Sequence, residues 1–570
     1  MKTYIKIFIA SLLTLTISSC EFLDKQPHEL TPETYFNSES ELQSFLAGVY
    51  SPLGQEYFYG NYYPVYNAGG DDLSFYQRAN SPVSIMTADA NSTNQYISAY
   101  WRLLYDGISR ANILIENVDK NETISEAIRN RVKSEAVFLR AFYYFNLIQG
   151  WGDVPFRLTS AQSVDNLSLP RTDKQIIYDS ITNQIVKSIP YLNSAANTNP
   201  GYVTQSAAKG ILARIYMFRA GEHFRDNKTA DNHVQKYFQE AKKWALEVKE
   251  SGIHELTKSY SQVFTDLCQD KYNSTGKKES IWEAEEAGNR INSPDWSAGR
   301  IGNVIGFGST NDYSTVSPYQ NQGGMSNPGY SYKFVYASLK LFNMYESEND
   351  TARCDWNITP YEYVYASTAP KQVTGRNYYF GKRRAGLATV EGLPCTDMTQ
   401  SASNNNKTRC CAKYRRELET VLIKNKNYTP INFPILRYSD VLLMIAEAEN
   451  EINSAPTQLA YDCINEVRRR AHIVEYQVGS LEQTTFRDAV KKERAMELCF
   501  EGIRRWDLIR WGDFYKNMQS MRSSVNDPGW GSGFKYAASY YNVSENYNYY
   551  PIPSIELSVN KEITSNNPGW

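Results

Sequence analysis

The chain has 570 residues, 42% of them hydrophobic, and 60 Lys+Arg against 62 Asp+Glu for a formal charge of −2. That is enough apolar material for a sizeable core in one large or two intimately joined domains. So even a balance offers no basic field for nucleic acid and no polybasic stripe for anionic lipid.

The first element is a leader rather than part of the fold. Lys2 and Lys6 make a positive n-region, and "IFIASLLTLTIS" (7–18) is an apolar h-region. It is well short of the ~20 residues a spanning helix needs. Ile17, Ser18 and Ser19 before Cys20 resemble the lipobox of bacterial lipoproteins, in which the cysteine becomes the acylated first residue. Residues 1–19 are therefore expected to be a lipoprotein signal peptide, with Cys20 the lipidation site. Residues 20–570 are expected to be one domain, tethered to a membrane and not spanning it, because no later apolar run approaches spanning length.

Helical periodicity then marks both ends of the mature chain. In "RVKSEAVFLRAFYYFNLIQGWGDVPF", Val132, Ala136, Leu139, Tyr143 and Leu147 fall on one face, and Gly150, Gly152 and Pro155 supply a stop. "TQSAAKGILARIYMFRAG" repeats the pattern with Ala207, Ile211, Ile215 and Phe218, between an expected N-cap at Thr204 and an expected stop at Gly221. Ala241 and Ala245 in the next segment are small residues one turn apart that admit a neighbouring helix. The pairing returns late, with Val441, Ile445 and Ala448 set against Ala460, Ile464 and Val467. Such pairs look like tetratricopeptide-type hairpins, each of which needs a neighbour to bury its apolar face. In "KKERAMELCFEGIRRWDLIRW", Arg494 is spaced to meet Glu497, and Glu501 to meet Arg505.

Loop-rich segments at 54–98 and 255–435 carry Gly, Asn, Ser and Tyr with short β-like runs such as "ESIWEAE" and "RNYYFG". Long irregular stretches in a folded chain are commonly functional. A saccharide ring has an apolar C–H face that lies on an aromatic ring and hydroxyls that need donors and acceptors. Loop-borne aromatics with polar neighbours are thus the expected ligand site: Tyr76, Arg78, Asn80, Trp296, Tyr313 and Tyr319. Beyond Cys20, the seven remaining cysteines show no CxxC spacing, and a bridge among Cys395, Cys410 and Cys411 stays open as to pairing. The 5 His are scattered with no HExxH, and no GxSxG elbow occurs, so neither a metal, a cofactor nor a catalytic residue is expected. Asp71 and Asp72 in "AGGDD" are the nearest tempting carboxylate pair for a glycosidase.

Several phrases in order resemble the SusD/RagB nutrient-binding lipoproteins. They include "CEFLDKQP", "YWRLLYDGISRANILIENV", "EAVFLRAFYYFNLIQGWGDVPF", "ILRYSDVLLMIAEAENE", "KKERAMELCFEGIRRWDLIRWGDF", "YYPIPSIEL" and the closing "NNPGW". The resemblance implies a mostly α fold: a SusD-like scaffold of four tetratricopeptide-like hairpins, mainly at 100–250 and 436–516, with a long irregular region carrying short β-strands. It also implies a lipid-anchored protein at the outer membrane, facing the exterior, that binds a glycan or a peptide. That ligand would pass to a SusC-like TonB-dependent transporter. A surface glycoside hydrolase, a peptide-binding RagB-type importer subunit and a pure protein scaffold are the alternatives.

Overall fold

The computed structural model describes residues 35–68, 70–76, 85–86, 90–161, 163, 167–227, 232–273, 276–287, 299–399, 409–421, 423–521 and 543–570. The leader and Cys20 lie outside the described residues. Helices α1 (Glu39–Tyr50) and α2 (Tyr62–Ala68) come first. The long helices α3 (Gln95–Asn117), α4 (Glu126–Trp151), α5 (Lys174–Ser188), α6 (Gln205–Asn227) and α7 (Asn232–Glu250) follow.

Their ends are written in the local sequence. Asn94 Oδ1 accepts the Tyr96 and Ile97 N–H groups at the start of α3, and Ser125 Oγ accepts that of Ile128 at the start of α4. Such caps satisfy donors that have no partner within the helix. Thr204 caps α6 as expected, its Oγ1 accepting the Ala207 N–H at 3.2 Å. Gly152, at φ +71°, closes α4. Gly221 does not stop α6, which runs on to Asn227. The glycine serves packing instead, since a Cβ there would stand 2.7 Å from the Arg510 carbonyl oxygen.

The middle of the chain is less irregular than its sequence suggests. It contains α8 (Tyr260–Gln269), α9 (Ile301–Val304), α10 (Leu339–Glu348) and α11 (Thr351–Asn357). Ser338 and Asp350 cap the last two, which are too short to leave a sustained period. Short strands link distant segments. β1 (Ser74–Tyr76) pairs with β5 (Val335–Ala337), β2 (Val154–Pro155) with β3 (Arg171–Thr172), and β4 (Ser280–Ala284) with β10 (Phe433–Arg437), all antiparallel. A four-stranded sheet, ordered β6 (Tyr361–Tyr365), β7 (Val373–Tyr378), β9 (Leu393–Asp397) and β8 (Thr389–Val390), packs its own small core. At its heart the Glu417 carboxylate accepts from Tyr361 (2.8 Å), Tyr363 (2.6 Å) and Arg376 (2.7 Å).

Helices α12 (Tyr438–Asn453), α13 (Gln458–Arg470), α14 (Gln483–Leu498), α15 (Arg504–Arg510), α16 (Phe514–Ser520) and α17 (Ser554–Val559) complete the chain. One hydrophobic core draws on both helical segments, with Leu139, Ile211, Ile445 and Ile464 all fully buried in it. Helix α12 packs against α6 and α7 of the first segment as well as α13 and α14 of its own.

Ion pairs bind the second helical segment to itself and to the middle of the chain, and they are not the local ones that residue spacing suggests. Arg494 reaches Asp440 and Asp507, each at 2.7 Å, rather than Glu497. Glu497 is buried and pairs with Arg353 (3.2 Å), Arg437 (3.1 Å) and Arg470. Glu501 takes Lys413 (2.6 Å) and Arg437 (2.8 Å), while Arg505 donates to the carbonyls of Gly70 and Tyr547. Two causes displace the expected pairs: α14 ends at Leu498, so Glu501 and Arg505 share no helix, and Glu497 faces inward. Its three guanidinium partners, working against the cost of burial, hold its carboxyl well below the usual carboxylate range. The seven described cysteines are buried free thiols, so no bridge joins Cys395, Cys410 and Cys411. Burial pushes the Cys410 thiol up to about 11, which keeps it protonated and inert.

Candidate ligand-binding face

The expected site residues separate in the structure. Arg78, Asn80 and Trp296 lie outside the described residues. Tyr76 is 3% exposed, pairs with Val335 across the β1–β5 ladder and packs on Phe334 with ring centroids 5.0 Å apart. Tyr313 is 1% exposed within the small core, where its hydroxyl donates to the Lys371 carbonyl at 2.6 Å. Both rings are packing residues in this arrangement. Tyr319 is partly exposed and sits 6.0 Å from Tyr313.

A wider aromatic face is organised by the single-turn helix α9. Its leading residue, Arg300, donates its backbone N–H to Gly60 (2.8 Å), which ties it to the early loop. There Tyr57 and Tyr62 are partly exposed and stacked, 5.4 Å apart at 25°, with Tyr96 4.6 Å from Tyr62. On the other side, Tyr332 N–H donates to Asn303 (2.8 Å) and Phe334 N–H to Val304 (3.0 Å). That segment presents Tyr330, Tyr332 and Phe334, all partly exposed. Tyr332 and Phe334 lie nearly parallel, 4.8 Å apart at 10°, and Tyr330 meets Tyr332 edge-on at 5.0 Å. The intervening residues turn the other way: Ser331 is buried, and the Lys333 ammonium lies 4.7 Å from the Phe307 ring centroid. The rings recur at every second residue of "YSYKF", but Lys333 sits at φ +51°, so the ladder is not the regular alternation of a strand.

Polar groups stand among the rings. The Arg300 guanidinium pairs with the buried Glu56 at 2.9 Å, and its Nε is buried with no partner among the described residues. Asn303 donates to the Tyr330 and Lys426 carbonyls, and its buried Oδ1 has no partner among the described residues. Tyr332 donates to Asn427 at 3.4 Å, and Lys426 lies over the Tyr330 ring. Glu286 is buried against Gly299, and burial holds its carboxyl well above the usual range, so it stays a neutral hydrogen-bonding group. Planar, partly exposed rings suit a ligand with apolar faces, and the buried polar groups behind them hold the rings in place.

The tempting carboxylate pair has a different job. Asp71 Oδ1 accepts the Leu73 and Ser74 N–H groups, and the fully buried Asp72 takes both Arg504 (2.8 and 3.0 Å) and Lys340 (2.5 Å). These two residues clamp the start of β1 onto α15. Among the described residues no group of three or more His, Cys, Asp or Glu side chains is placed to hold a metal, and no helix is long and apolar enough to cross a membrane.

Comparison with known proteins places this geometry. A relative from Formosa agariphila, SusD-like protein P25, is 27% identical over 97% of this chain and 96% of its own length. A SusD homologue from Bacteroides thetaiotaomicron has the same fold, with TM-score 0.76 and 25% identity over 96% of this chain and 100% of that one. A laminarin-binding SusD-like protein aligns with TM-score 0.64 and 20% identity, over 94% of this chain and 100% of that one. A model described as "Starch-binding associating with outer membrane" matches residues 21–217. The SusD family model matches residues 278–570, slightly more than half of the chain, and the protein belongs to the SusD family.

Proposed function

We propose that this protein is a cell-surface lipoprotein that captures oligo- or polysaccharide and passes it to a SusC-like TonB-dependent outer-membrane transporter. The observation that carries the reading is the pairing of SusD-family membership with the aromatic face around α9. Acylated Cys20 anchors the chain to the outer membrane with its binding face outward. Tethering raises the effective concentration of binder over transporter, so a weak and quickly reversible glycan complex suffices for delivery. Binding alone is the activity. The Asp71–Asp72 pair is committed to structure, and the two carboxyl groups beside the rings, Glu56 and Glu286, are buried. Arg78, Asn80, Trp296 and Tyr319 are further ligand contacts in this reading.

Titration of the full chain with maltoheptaose and with laminarin tests it, the two probes following the starch and laminarin named for the family model and one neighbour. Saturable binding that requires Tyr332 and Tyr62 supports the reading. No saccharide binding alongside saturable binding of peptides moves the ligand class to peptide. Release of reducing ends from either polymer makes the protein a hydrolase. Retention of the Cys20→Ala chain on membranes as firmly as the parent overturns the anchor.

A further inference from the structure

A concavity that starts at Tyr57 of that face runs between α3, residues 155–161 and 167–169, and the C-terminal helix α17, with a volume of about 640 Å³. This is within the ~300–1,000 Å³ typical of ligand clefts. We infer that it is a second saccharide-binding groove, a claim that rests on the glycan-binding reading of the protein.

Its two walls differ in chemistry. On α3, Arg102, Asp106 and Ser109 stand one turn apart along the groove. All three side chains are exposed, and Arg110 and Arg102 attract the Asp106 carboxylate. The facing wall is aliphatic. Leu167, Ile555 and Val559 are 60%, 66% and 63% exposed, among the most open large apolar side chains of the described molecule, and all three line this groove. Water gains nothing from such a wall, and clustered exposed apolar groups mark binding surfaces.

The floor carries a partly exposed ring, Tyr105, braced 5.1 Å from Trp101. Its hydroxyl is already spent on the Pro155 carbonyl at 2.8 Å, so the ring offers a ligand its face alone. A lipid chain would leave the hydrogen-bonding capacity of the α3 wall unmet, and a fully polar ion would leave the aliphatic wall wet. An oligosaccharide lying along the groove meets both, with C–H faces on Tyr105 and the aliphatic wall and hydroxyls toward Arg102, Asp106 and Ser109. Substrate would then be gripped at two places, which lengthens its residence on the tethered protein by effective concentration.

Hydrogen exchange of the full chain in lipid nanodiscs, with and without maltoheptaose or laminarihexaose at millimolar concentration, tests this. The expected result is protection of residues 101–112 and 554–560 in addition to 299–334. Arg102→Ala and Asp106→Ala, both exposed, should weaken the groove event at least fivefold and leave the melting temperature and the protection of 299–334 unchanged. Protection confined to 299–334 overturns the groove and leaves the proposed function standing. Protection confined to the groove supports the groove and moves the primary site. Absence of protection anywhere with both sugars overturns both.

Discussion

Tyr332 and Tyr313 are both tyrosines in the same loop-rich region, yet substitution should separate them. Tyr332 is partly exposed on the ladder, so Tyr332→Ala removes stacking worth about 1 kcal/mol and should weaken glycan binding several-fold with little change in melting temperature. Tyr313 is buried and hydrogen-bonded, so Tyr313→Ala should cost about 3–5 kcal/mol of stability, with binding retained in the folded fraction. Calorimetric titration beside chemical denaturation reads both; equal effects of the two changes on affinity would overturn the assignment. The sequence made the aromatic richness of these loops legible but not which rings face outward. Tyr76 is buried because its strand pairs with β5, far along the chain, and no local pattern announces that partner. Glu283 yields a residue-scale test of another kind. Burial, reinforced by Glu285 and Asp270, pushes its carboxyl up to about 7 despite a hydrogen bond from Asn432. The folded state therefore binds the proton more tightly than the unfolded one, and this group's contribution is full below pH ~4.5 and lost as pH rises through about 7. Relative to Glu283→Gln, the parent should lose about 3 kcal/mol between pH 4.5 and 7 and change no further above that, as read from urea midpoints. A constant difference across that range would mean that Glu283 is charged in the fold.

At the scale of elements, Gly221 decides how closely α6 and α15 approach. Glycine inside a helix costs about 1 kcal/mol relative to alanine, so propensity alone favours Gly221→Ala. The added Cβ would meet a backbone oxygen at 2.7 Å, and backbone yields less readily than the end of a flexible side chain. Overpacking of that kind costs about 1–3 kcal/mol, and the net expectation is destabilisation by up to about 2 kcal/mol. A rise in the denaturation midpoint would show that α15 gives way freely. Gly221 also shows where reading elements from sequence fails, because a stop and a close approach both call for the residue without a side chain. Helices α4, α6, α12 and α13 were legible because each sustains an apolar stripe over three or more turns. α10 and α11 were not, being 10 and 7 residues long in a stretch dominated by loop composition.

For the molecule as a whole, the question is whether helical segments so far apart in sequence fold as one body. Arg437 at the end of β10 bears on it directly. Its guanidinium is fully buried and donates to Glu279 beside β4 (2.6 Å), to Glu497 on α14 (3.1 Å) and to Glu501 beyond it (2.8 Å). Nearby, Arg214 on α6 reaches Asp440 on α12 at 2.7 Å, and the hydrophobic core runs through both segments without a break. Neither segment can lose its partner without exposing apolar faces and stranding buried charge. Arg437→Met takes one member from a network whose carboxylates remain buried, a loss that typically costs about 3–5 kcal/mol. Were the halves independent, that cost would fall on one of them, and a second transition would split from the first in calorimetry. The structure calls for the opposite: a single transition in parent and variant, moved to lower temperature in the variant, with loss of helix signal and tryptophan fluorescence superimposing. Two resolved transitions in the parent, or a variant that melts in one half while the other persists, would divide the scaffold into two domains.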